Sequence, residues 1–368
     1  SFMLLFERED HSAYFINAFA QDDYKLSPRL TLNLGLRYQY DDPPRQKSNL
    51  LATFKPGFQS TKIPNAPLGM AYVGDPGIPV STLFPDKNNF GPRLGVAWDI
   101  FGTGNTSLRA GWGLFYQQNT NGYSQGAGLN QPLVPTFAGF GVSLSDPFAG
   151  QTLGGVVPGD PSAQYDPITG KASFIPPLRV WSIDPNIRNP YIQHYSLALQ
   201  HKLPQDMVLE VAYVGNAARK LARTIELNSA VLTPDATLAN RQQRRKYNPA
   251  NIGEVRRFEA GANSSYNSLQ TGIKKQFSRG YLLNVNYTWS RFIDDTGGTG
   301  YQLGNTFQNP EDSAAEKGLA DFHRGHVFNA SWVWDLPKFS QSNPFIRHVV
   351  GGWEATGLVT LQSGLPML

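Results

Sequence analysis

One short stretch of the chain alternates between apolar and polar residues with a strict period of two. It reads KLSPRLTLNLGLRYQYDDPP and covers residues 25–44. One face of the stretch carries Leu30, Leu32, Leu34, Leu36, Tyr38 and Tyr40, and the other carries Thr31, Asn33, Gly35, Arg37 and Gln39. A period of two indicates a β-strand whose two faces meet different surroundings. The fold therefore depends on whether the apolar face meets a protein core or lipid.

The same alternation recurs along the chain and predicts about ten strands of roughly 9–12 residues, near the length of a tilted membrane-crossing strand. Clear repeats lie within 94–100, 108–116, 195–199, 283–289 and 328–334. No run approaches the roughly 20 apolar residues of a transmembrane helix. Aromatic residues near the predicted strand ends fit the girdles of a membrane barrel: Tyr38, Tyr40, Trp98, Trp112, Tyr116, Tyr287, Trp289, Trp332 and Trp334.

The connections between the predicted strands alternate between short and long. The short ones, at 26–29, 101–105, 203–206 and 278–280, each contain Pro or Gly and suit hairpins. The long ones lie at 41–91, 118–190, 216–264 and 293–324. Because each long connection follows the second strand of a hairpin, all would emerge at one end of the sheet. The pattern predicts an all-β, antiparallel, up-and-down transmembrane β-barrel with short turns at one end and long loops at the other.

The composition agrees with a membrane barrel and excludes some functions. Charged residues make up 16% of the chain, below the roughly 25% usual for soluble domains. The formal net charge of +4 gives no indication of nucleic-acid binding. The chain has no cysteine, which excludes thiolate metal sites and cysteine nucleophiles. A soluble sheet whose apolar face covers a protein core is the alternative.

The polar faces of the predicted strands supply candidate residues for the interior of a wide barrel. A wide barrel encloses a hydrated or plugged lumen and tolerates polar side chains there. The candidates for facing the lumen are Asn33, Arg37, Asp99, Arg109, Lys274, Asn284 and Asn286. These residues could line a substrate path, or they could contact a plug or water.

A cluster of basic residues lies in a long predicted loop, at Arg241, Arg244, Arg245 and Lys246. Lipopolysaccharide phosphates or an anionic ligand would suit such a cluster. A solvated run of charge is the alternative.

Two short motifs resemble catalytic or cofactor motifs but lack the context that those functions need. Residues 122–126, GYSQG, match the nucleophile elbow around Ser124, but the residues that follow do not favour a helix. Gly102-Thr103-Gly104 lies in a predicted hairpin turn and not between a strand and a helix. We therefore predict a chain that is not an enzyme and has no cofactor.

Two further motifs resemble metal sites. His323 and His326 are three apart, and in an extended chain such residues point to opposite faces. The stretch 294–298, DDTGG, offers two carboxylates but lacks the full ligand spacing of a calcium loop. We predict no metal site at either position.

Five segments of the chain resemble the barrel of TonB-dependent outer-membrane receptors, in particular the Oar-like group of acidobacteria. They are AFAQDDYKLSPRLTLNLGLRYQYDDPP (18–44), NNFGPRLGVAWDIFGTGNTSLRAGWGLFY (88–116), NPYIQHYSLALQHKLPQDMVLEVAYVGNAARKL (189–221), NSSYNSLQTGIKKQFSRGYLLNVNYTWSRFIDD (263–295) and DFHRGHVFNASWVWDLP (321–337). They follow the order of the family and span most of the chain.

The resemblance implies a role in uptake across the outer membrane of a Gram-negative bacterium. Family barrels have about 22 strands, so residues 1–368 are expected to form part of a barrel, without the plug domain. The implied partners are outer-membrane lipid, an unidentified large or scarce solute, and the TonB energising complex, which would act through a plug that is not present here. The alternative is a non-transporting outer-membrane surface or adhesion protein that displays long ligand-binding loops.

Overall fold

The computed structural model describes most of the chain, with several gaps in the long connections. The described residues are 2–5, 11–47, 49, 51–117, 130–132, 136–139, 166, 168–174, 176–296, 307, 309–336 and 352–367. Their secondary structure is β-strand and turn, with no helix among them. In particular, these residues form no helix of the length and hydrophobicity needed to span a membrane.

Eighteen strands follow one another along the chain. They are β1 (Phe2–Leu5), β2 (His11–Ser12), β3 (Phe15–Ser27), β4 (Leu30–Asp41), β5 (Arg45–Gln46), β6 (Ala52–Phe54), β7 (Met70–Tyr72), β8 (Asp86–Asp99), β9 (Thr106–Tyr116), β10 (Thr136–Gly139), β11 (Leu178–Ile183), β12 (Tyr191–Leu203), β13 (Met207–Glu226), β14 (Ile252–Ser278), β15 (Tyr281–Asp294), β16 (Gly318–Leu319), β17 (His326–Asp335) and β18 (Glu354–Gln362).

Ten of these strands form one continuous up-and-down sheet. Its order is β3-β4-β8-β9-β12-β13-β14-β15-β17-β18, and neighbours along this path pair antiparallel. Each pair of neighbours is also consecutive among the long strands of the chain. This order confirms the predicted all-β, antiparallel, up-and-down architecture with about ten long strands.

The register carries the apolar face from strand to strand without a break. Leu34 pairs with Leu94, Leu94 with Trp112, and Trp112 with Tyr195. Residues that pair directly in an antiparallel sheet point to the same face. Leu34 is 46% exposed and Leu94 is 52% exposed, so protein does not cover this face. The arrangement favours lipid over a protein core as its surroundings.

The short turns lie at one end of the sheet, as predicted. Between β14 and β15 the chain reverses through Arg279 (φ 52°) and Gly280 (φ 82°). Two consecutive residues with positive φ are characteristic of the tight type I′ hairpin turn, whose twist matches that of the strands it joins. Gln205 and Asp206 have the same pair of left-handed conformations between β12 and β13.

About half of one predicted loop is strand. The expectation of a loop at 216–264 is wrong, because β13 runs to Glu226 and β14 begins at Ile252. The register of the two strands shifts between Ala218 and Ala222, so one apolar–polar alternation does not continue through the whole hairpin. The hairpin therefore extends well beyond the level at which β12 begins, and β11 pairs with its outer part in parallel.

The long connections form a compact structure, which we call the cap and define as residues 51–83, 178–187 and 225–258. The cap contains the hydrophobic cores of the described chain, while the membrane-type strands expose their apolar faces. One buried cluster comprises Ala52, Phe54, Ile63, Ala66, Met70, Tyr72, Leu178, Val180, Ile252 and Val255. The other comprises Leu51, Val73, Leu83, Trp181, Ile183, Ile187 and Phe258.

Buried polar contacts also hold the cap together. The Asn130 amide donates to the carbonyl oxygens of Ala52 (3.1 Å) and Trp181 (2.7 Å), and its oxygen accepts from the Trp181 N–H (2.8 Å). The hydroxyl oxygens of Thr53 and Ser182 are 2.9 Å apart. These contacts join β6 to β11, which are more than 100 residues apart in the chain. Satisfied buried polar groups of this kind specify one arrangement of a core.

Candidate functional site

A groove lies on the polar face of the sheet, across β4, β8, β9 and β12. We call it the inner-face groove and define it by Arg37, Arg93, Phe115, His194 and Ser196. Its largest cavity has a volume of about 320 Å³ and is lined by all of these residues except Arg37. Arg37 and Arg93 line an adjoining smaller cavity. All five residues lie on the face opposite Leu34 and Leu94.

Glycine on both neighbouring strands opens the groove around one arginine. Arg93 on β8 pairs directly with Gly35 on β4 and with Gly113 on β9. A Cβ atom at Gly113 would lie 2.8 Å from the Phe115 ring, which is closer than real Cβ contacts. Because glycine has no side chain, the Phe115 ring can lie close to the backbone and leave space beside Arg93.

Aromatic rings position the Arg93 side chain. Its guanidinium carbon lies 4.6 Å from the centre of the Phe115 ring, within cation–π range. The His194 ring meets the same Phe115 ring edge to face, with centres 5.2 Å apart. The Arg93 Nε is buried without a hydrogen-bond partner, and Arg93 makes no ion pair with any described residue. This charge is therefore available to an anionic group.

The rest of the groove adds positive charge and hydrogen-bond donors. The Arg37 Nη2 donates to the Asn17 Oδ1 at 2.8 Å. Gln39 and Asn89 line the smaller cavity, and neither cavity has an aspartate or glutamate in its lining. Buried or partly buried positive charge without a carboxylate attracts anions. The groove thus combines an apolar wall with two guanidinium groups.

The structure places all seven lumen candidates on the polar face but does not bring them together. Asn33 and Arg37 lie on β4, whereas Lys274, Asn284 and Asn286 lie five or six strands away on β14 and β15. The Asn33 Nδ2 donates to Asp23 (2.6 Å), and the Asn286 Nδ2 donates to Asn284 (3.1 Å). That this face lines a lumen remains a prediction.

Two of those candidates lie away from the groove, near the short turns. The Asp99 carboxylate accepts hydrogen bonds from the N–H groups of Gly102 (3.0 Å) and Gly104 (2.9 Å). Asp99 thereby stabilises the β8–β9 turn, which also explains the Gly102-Thr103-Gly104 motif. Arg109 pairs with Ala97 and Ala198 near the same end of the sheet.

Three members of the basic loop cluster are already engaged by other groups of the protein. The Arg244 guanidinium donates to the carbonyl oxygens of Val231 and Thr237 and to the Asn240 side chain. Arg245 is buried against Glu226, and Lys246 pairs with Glu311. Arg241 and Lys246 are exposed, and Arg241 forms no ion pair with any described residue. The cluster is therefore a poor candidate for a phosphate site, because three of its four charges already have partners in the protein.

The other motifs have structural roles or lie outside the described residues. Asp295 accepts hydrogen bonds from the backbone and side chain of Asn263. His326 pairs with Trp289 on the apolar face, while the His323 Nδ1 accepts from the Phe292 N–H (3.2 Å). The described residues contain no group of three or more side chains suited to a metal ion. Ser124 lies outside them.

Arg93, Phe115 and His194 were not singled out from the sequence. A signal was present, because Gly91, Gly95, Gly111 and Gly113 recur at even spacing on the polar faces of two adjacent strands. Glycine inside a strand marks a place where something approaches the backbone closely. The register that places Arg93 between Gly35 and Gly113 is visible only in the structure.

Solved structures of outer-membrane receptors are among those to which this chain is similar, at low identity. The pyoverdine outer membrane receptor FpvA from Pseudomonas aeruginosa PAO1 bound to pyoverdine has a TM-score of 0.42 and 10% identity, with 89% of this chain and 29% of that chain covered. The alcaligin outer membrane receptor FauA from Bordetella pertussis has a TM-score of 0.42 and 12% identity, with 96% of this chain and 38% of that chain covered. The FrpB iron transporter from Neisseria meningitidis has a TM-score of 0.43 and 11% identity, with 89% of this chain and 32% of that chain covered.

The chain therefore spans between about a quarter and two fifths of the length of such structures. No curated protein matches the chain. The family model described as "Outer membrane beta barrel domain" matches residues 5–368, nearly the whole chain. With its ten-strand up-and-down sheet and its continuous exposed apolar face, the chain belongs to the outer membrane beta barrel domain family.

Proposed function

We propose that this chain is part of the wall of a TonB-dependent receptor that takes up a solute through the outer membrane. The inner-face groove carries this proposal. It lies in the half of the sheet nearer the long connections, because Arg37, Phe115 and His194 are all closer to that end of their strands. A solute that entered past the cap would meet the groove on its way inward.

The chemistry of the groove defines what the solute would present. Two guanidinium groups and an aromatic wall suit an anionic group attached to an apolar or planar body. The seven polar-face candidates would continue a hydrated lining below the groove. The wall supplies binding and passage, with no covalent chemistry. The TonB energising complex would act through a plug domain outside this chain.

The test uses the full-length protein that carries this chain, in cells with and without TonB. Cells are grown on a mixture of peptides, oligosaccharides and ferric chelates, and mass spectrometry measures which solutes leave the medium. We expect at least one solute to be depleted only when both the receptor and TonB are present. Depletion that is unchanged without TonB, or no receptor-dependent depletion, would contradict the proposal.

A substitution tests the role of the groove in the same assay. Arg93→Gln should slow uptake of that solute about tenfold, because a charge-assisted hydrogen bond contributes about 1.5–3 kcal/mol. The matched control is Lys25→Gln, which removes one positive charge at the opposite end of the sheet. Equal uptake by both variants would show that the groove does not contact the solute.

A second candidate function is a non-transporting surface protein. The cap favours it, because its two buried clusters give the long connections one fixed shape that could present a binding surface. In that case the protein would retain its ligand at the cell surface. Ligand bound to whole cells, with no depletion of solute beyond that bound amount and no effect of TonB, would identify this function.

A further inference from the structure

One arginine lies on the apolar, outward face of the sheet. Arg291 on β15 pairs with Asn267 on β14, which in turn pairs with Gly215 on β13. Trp289, two residues away on the same face, is 56% exposed. In an outer-membrane barrel this face meets lipid. Arg291 therefore lies on the lipid side, at the end of the apolar band nearest the long connections.

Nothing on the described protein surface neutralises this arginine. Arg291 is exposed, and it forms no hydrogen bond or ion pair with any described residue. The residues beside it on the same face, Asn267, Trp289 and Ile293, carry no negative charge. An unpaired guanidinium at the membrane boundary is most stable where it meets an anionic group.

A neighbouring amide group is held with its donors free. The hydroxyls of Tyr195 and Tyr213 both donate to the Asn267 Oδ1, at 2.9 and 2.7 Å. The two tyrosine rings stack with their centres 6.1 Å apart. Because both hydroxyl contacts use the amide oxygen, the two N–H donors of the Asn267 amide remain available beside Arg291. The tyrosines thus fix the direction of these donors.

We propose that Arg291 and Asn267 form an outward-facing site for a phosphate group of an outer-leaflet lipid. The guanidinium and the amide would donate hydrogen bonds to the phosphate oxygens. The acyl chains would lie along the continuous apolar face that begins with Leu269 and Trp289. Tyrosine and tryptophan at this level are typical of the interfacial girdle of a membrane barrel. The site is independent of solute uptake.

A lipid fits this site better than a free anion does. The polar group and the apolar band are adjacent on one surface, so a single amphipathic molecule would satisfy both. The loop cluster at Arg241–Lys246 lacks this combination, since three of its four charges are already engaged by other groups of the protein. We therefore expect the phosphate contact at the outer wall of the sheet and not at the loop cluster.

The test measures lipid binding to the full-length protein in detergent. Bisphosphorylated lipid A and the same lipid without phosphates are titrated in parallel, and native mass spectrometry measures the bound fraction. We expect the wild type to bind the phosphorylated form about tenfold more tightly. Arg291→Gln should abolish that preference. Arg109→Gln, which removes the same charge from the opposite face, should keep it.

Three results would overturn the proposal. The wild type could bind both lipids equally, or Arg291→Gln could retain the full preference. Inorganic phosphate could also displace the lipid at a concentration equal to that of the lipid phosphate, which would indicate a site for a free anion and no lipid site. As a second measurement, the phosphorus that copurifies with the protein from outer membranes should fall in Arg291→Gln and not in Arg109→Gln.

Discussion

The guanidinium of Arg245 lies 3.4 Å from the carboxylate of Glu226, and both side chains are buried in the cap. The Glu226 Oε1 also accepts the N–H groups of Asn228 and Val255, each at 2.9 Å. Glu226 ends β13 and Val255 lies near the start of β14, so this group of contacts closes the outer end of the long hairpin. Burial raises the pKa of Glu226, and it lowers the pKa of Arg245.

Removing one partner of this ion pair should open the cap. Arg245→Met should destabilise the cap by about 3 kcal/mol, because it leaves Glu226 buried without its counter-charge. Hydrogen exchange of amides in 226–258 should report the loss as faster exchange. The control is Arg241→Met, which removes an exposed arginine from the same loop. Unchanged exchange in Arg245→Met would show that the pair contributes little.

A second buried carboxylate organises the first part of the cap. The Asp75 carboxylate accepts hydrogen bonds from the Ser60 hydroxyl and from the N–H groups of Thr61, Lys62 and Tyr72. Each of these four donors lies 2.8 Å from its nearest carboxylate oxygen. Burial acts to raise the pKa of Asp75, but these hydrogen bonds to the charged form outweigh it and the pKa is lowered.

The lowered pKa predicts a loss of cap stability in acid. A carboxyl whose pKa is lower in the folded state stabilises that state above the unfolded pKa of about 3.9 and loses the effect as the pH falls through the folded value. Exchange of amides in 60–75 should therefore accelerate below about pH 4. In Asp75→Asn this pH dependence should flatten and exchange at pH 7 should be faster. An identical pH profile in both proteins would exclude Asp75 as the cause.

A tryptophan covers a glycine at one edge of the sheet. Gly357 on β18 pairs with Trp332 on β17, and a Cβ atom at position 357 would overlap the indole ring. Gly357→Ala should lower the stability of the barrel by about 1–3 kcal/mol, because the ring must leave its position. The control is Gly364→Ala, where a Cβ would meet nothing within 4 Å. Unfolding in denaturant, followed by tryptophan fluorescence, measures both.

A charge placed on each face of one strand tests which face meets lipid. Leu34→Arg should destabilise the protein by about 2–4 kcal/mol if Leu34 lies near the middle of the membrane. Asn33→Arg places the same charge on the polar face beside Asp23 and should be tolerated. The measurement is the fraction of protein that folds into vesicles, seen as heat-sensitive migration in electrophoresis. Equal folding of the two variants would contradict the assignment of faces.

A buried lysine stabilises one short turn. Lys275 is fully buried, and its Nζ donates to the Ser278 carbonyl (3.0 Å) and hydroxyl (2.6 Å) and lies 4.1 Å from the centre of the Tyr281 ring. Lys275→Met should cost about 1–3 kcal/mol, because it leaves polar groups of the turn unsatisfied. Lys274→Met, on the opposite face, should cost less. Denaturant unfolding compares the two, and equal losses would contradict this role.

The alternating pattern was enough to predict the sheet. Every second residue from Leu30 to Tyr40 is apolar, and this pattern depends only on the geometry of an extended chain. The tight turns followed from glycine and proline at short spacing, and Gly280 shows why, since its φ is 82°. Because such signals are local, they determined the number of long strands, their order and the end at which the long connections lie.

The cap and the two proposed sites depend on contacts that are distant in sequence. Phe54, Leu178 and Ile252 share one buried cluster although they come from three different connections. Arg93 became a site residue because the register places glycines on both sides of it. Arg291 acquired its role when pairing placed it on the lipid side beside Asn267.

The sequence by itself determined the membrane sheet, because strand periodicity and turn chemistry act over a few residues. Only the tertiary structure decided which charges are engaged and which are available. Arg245 is buried against Glu226, whereas Arg93 and Arg291 have no ion-pair partner among the described residues. The sequence shows each of the three only as an arginine, without its partner. What distinguishes them is the register and packing of strands that come together only on folding.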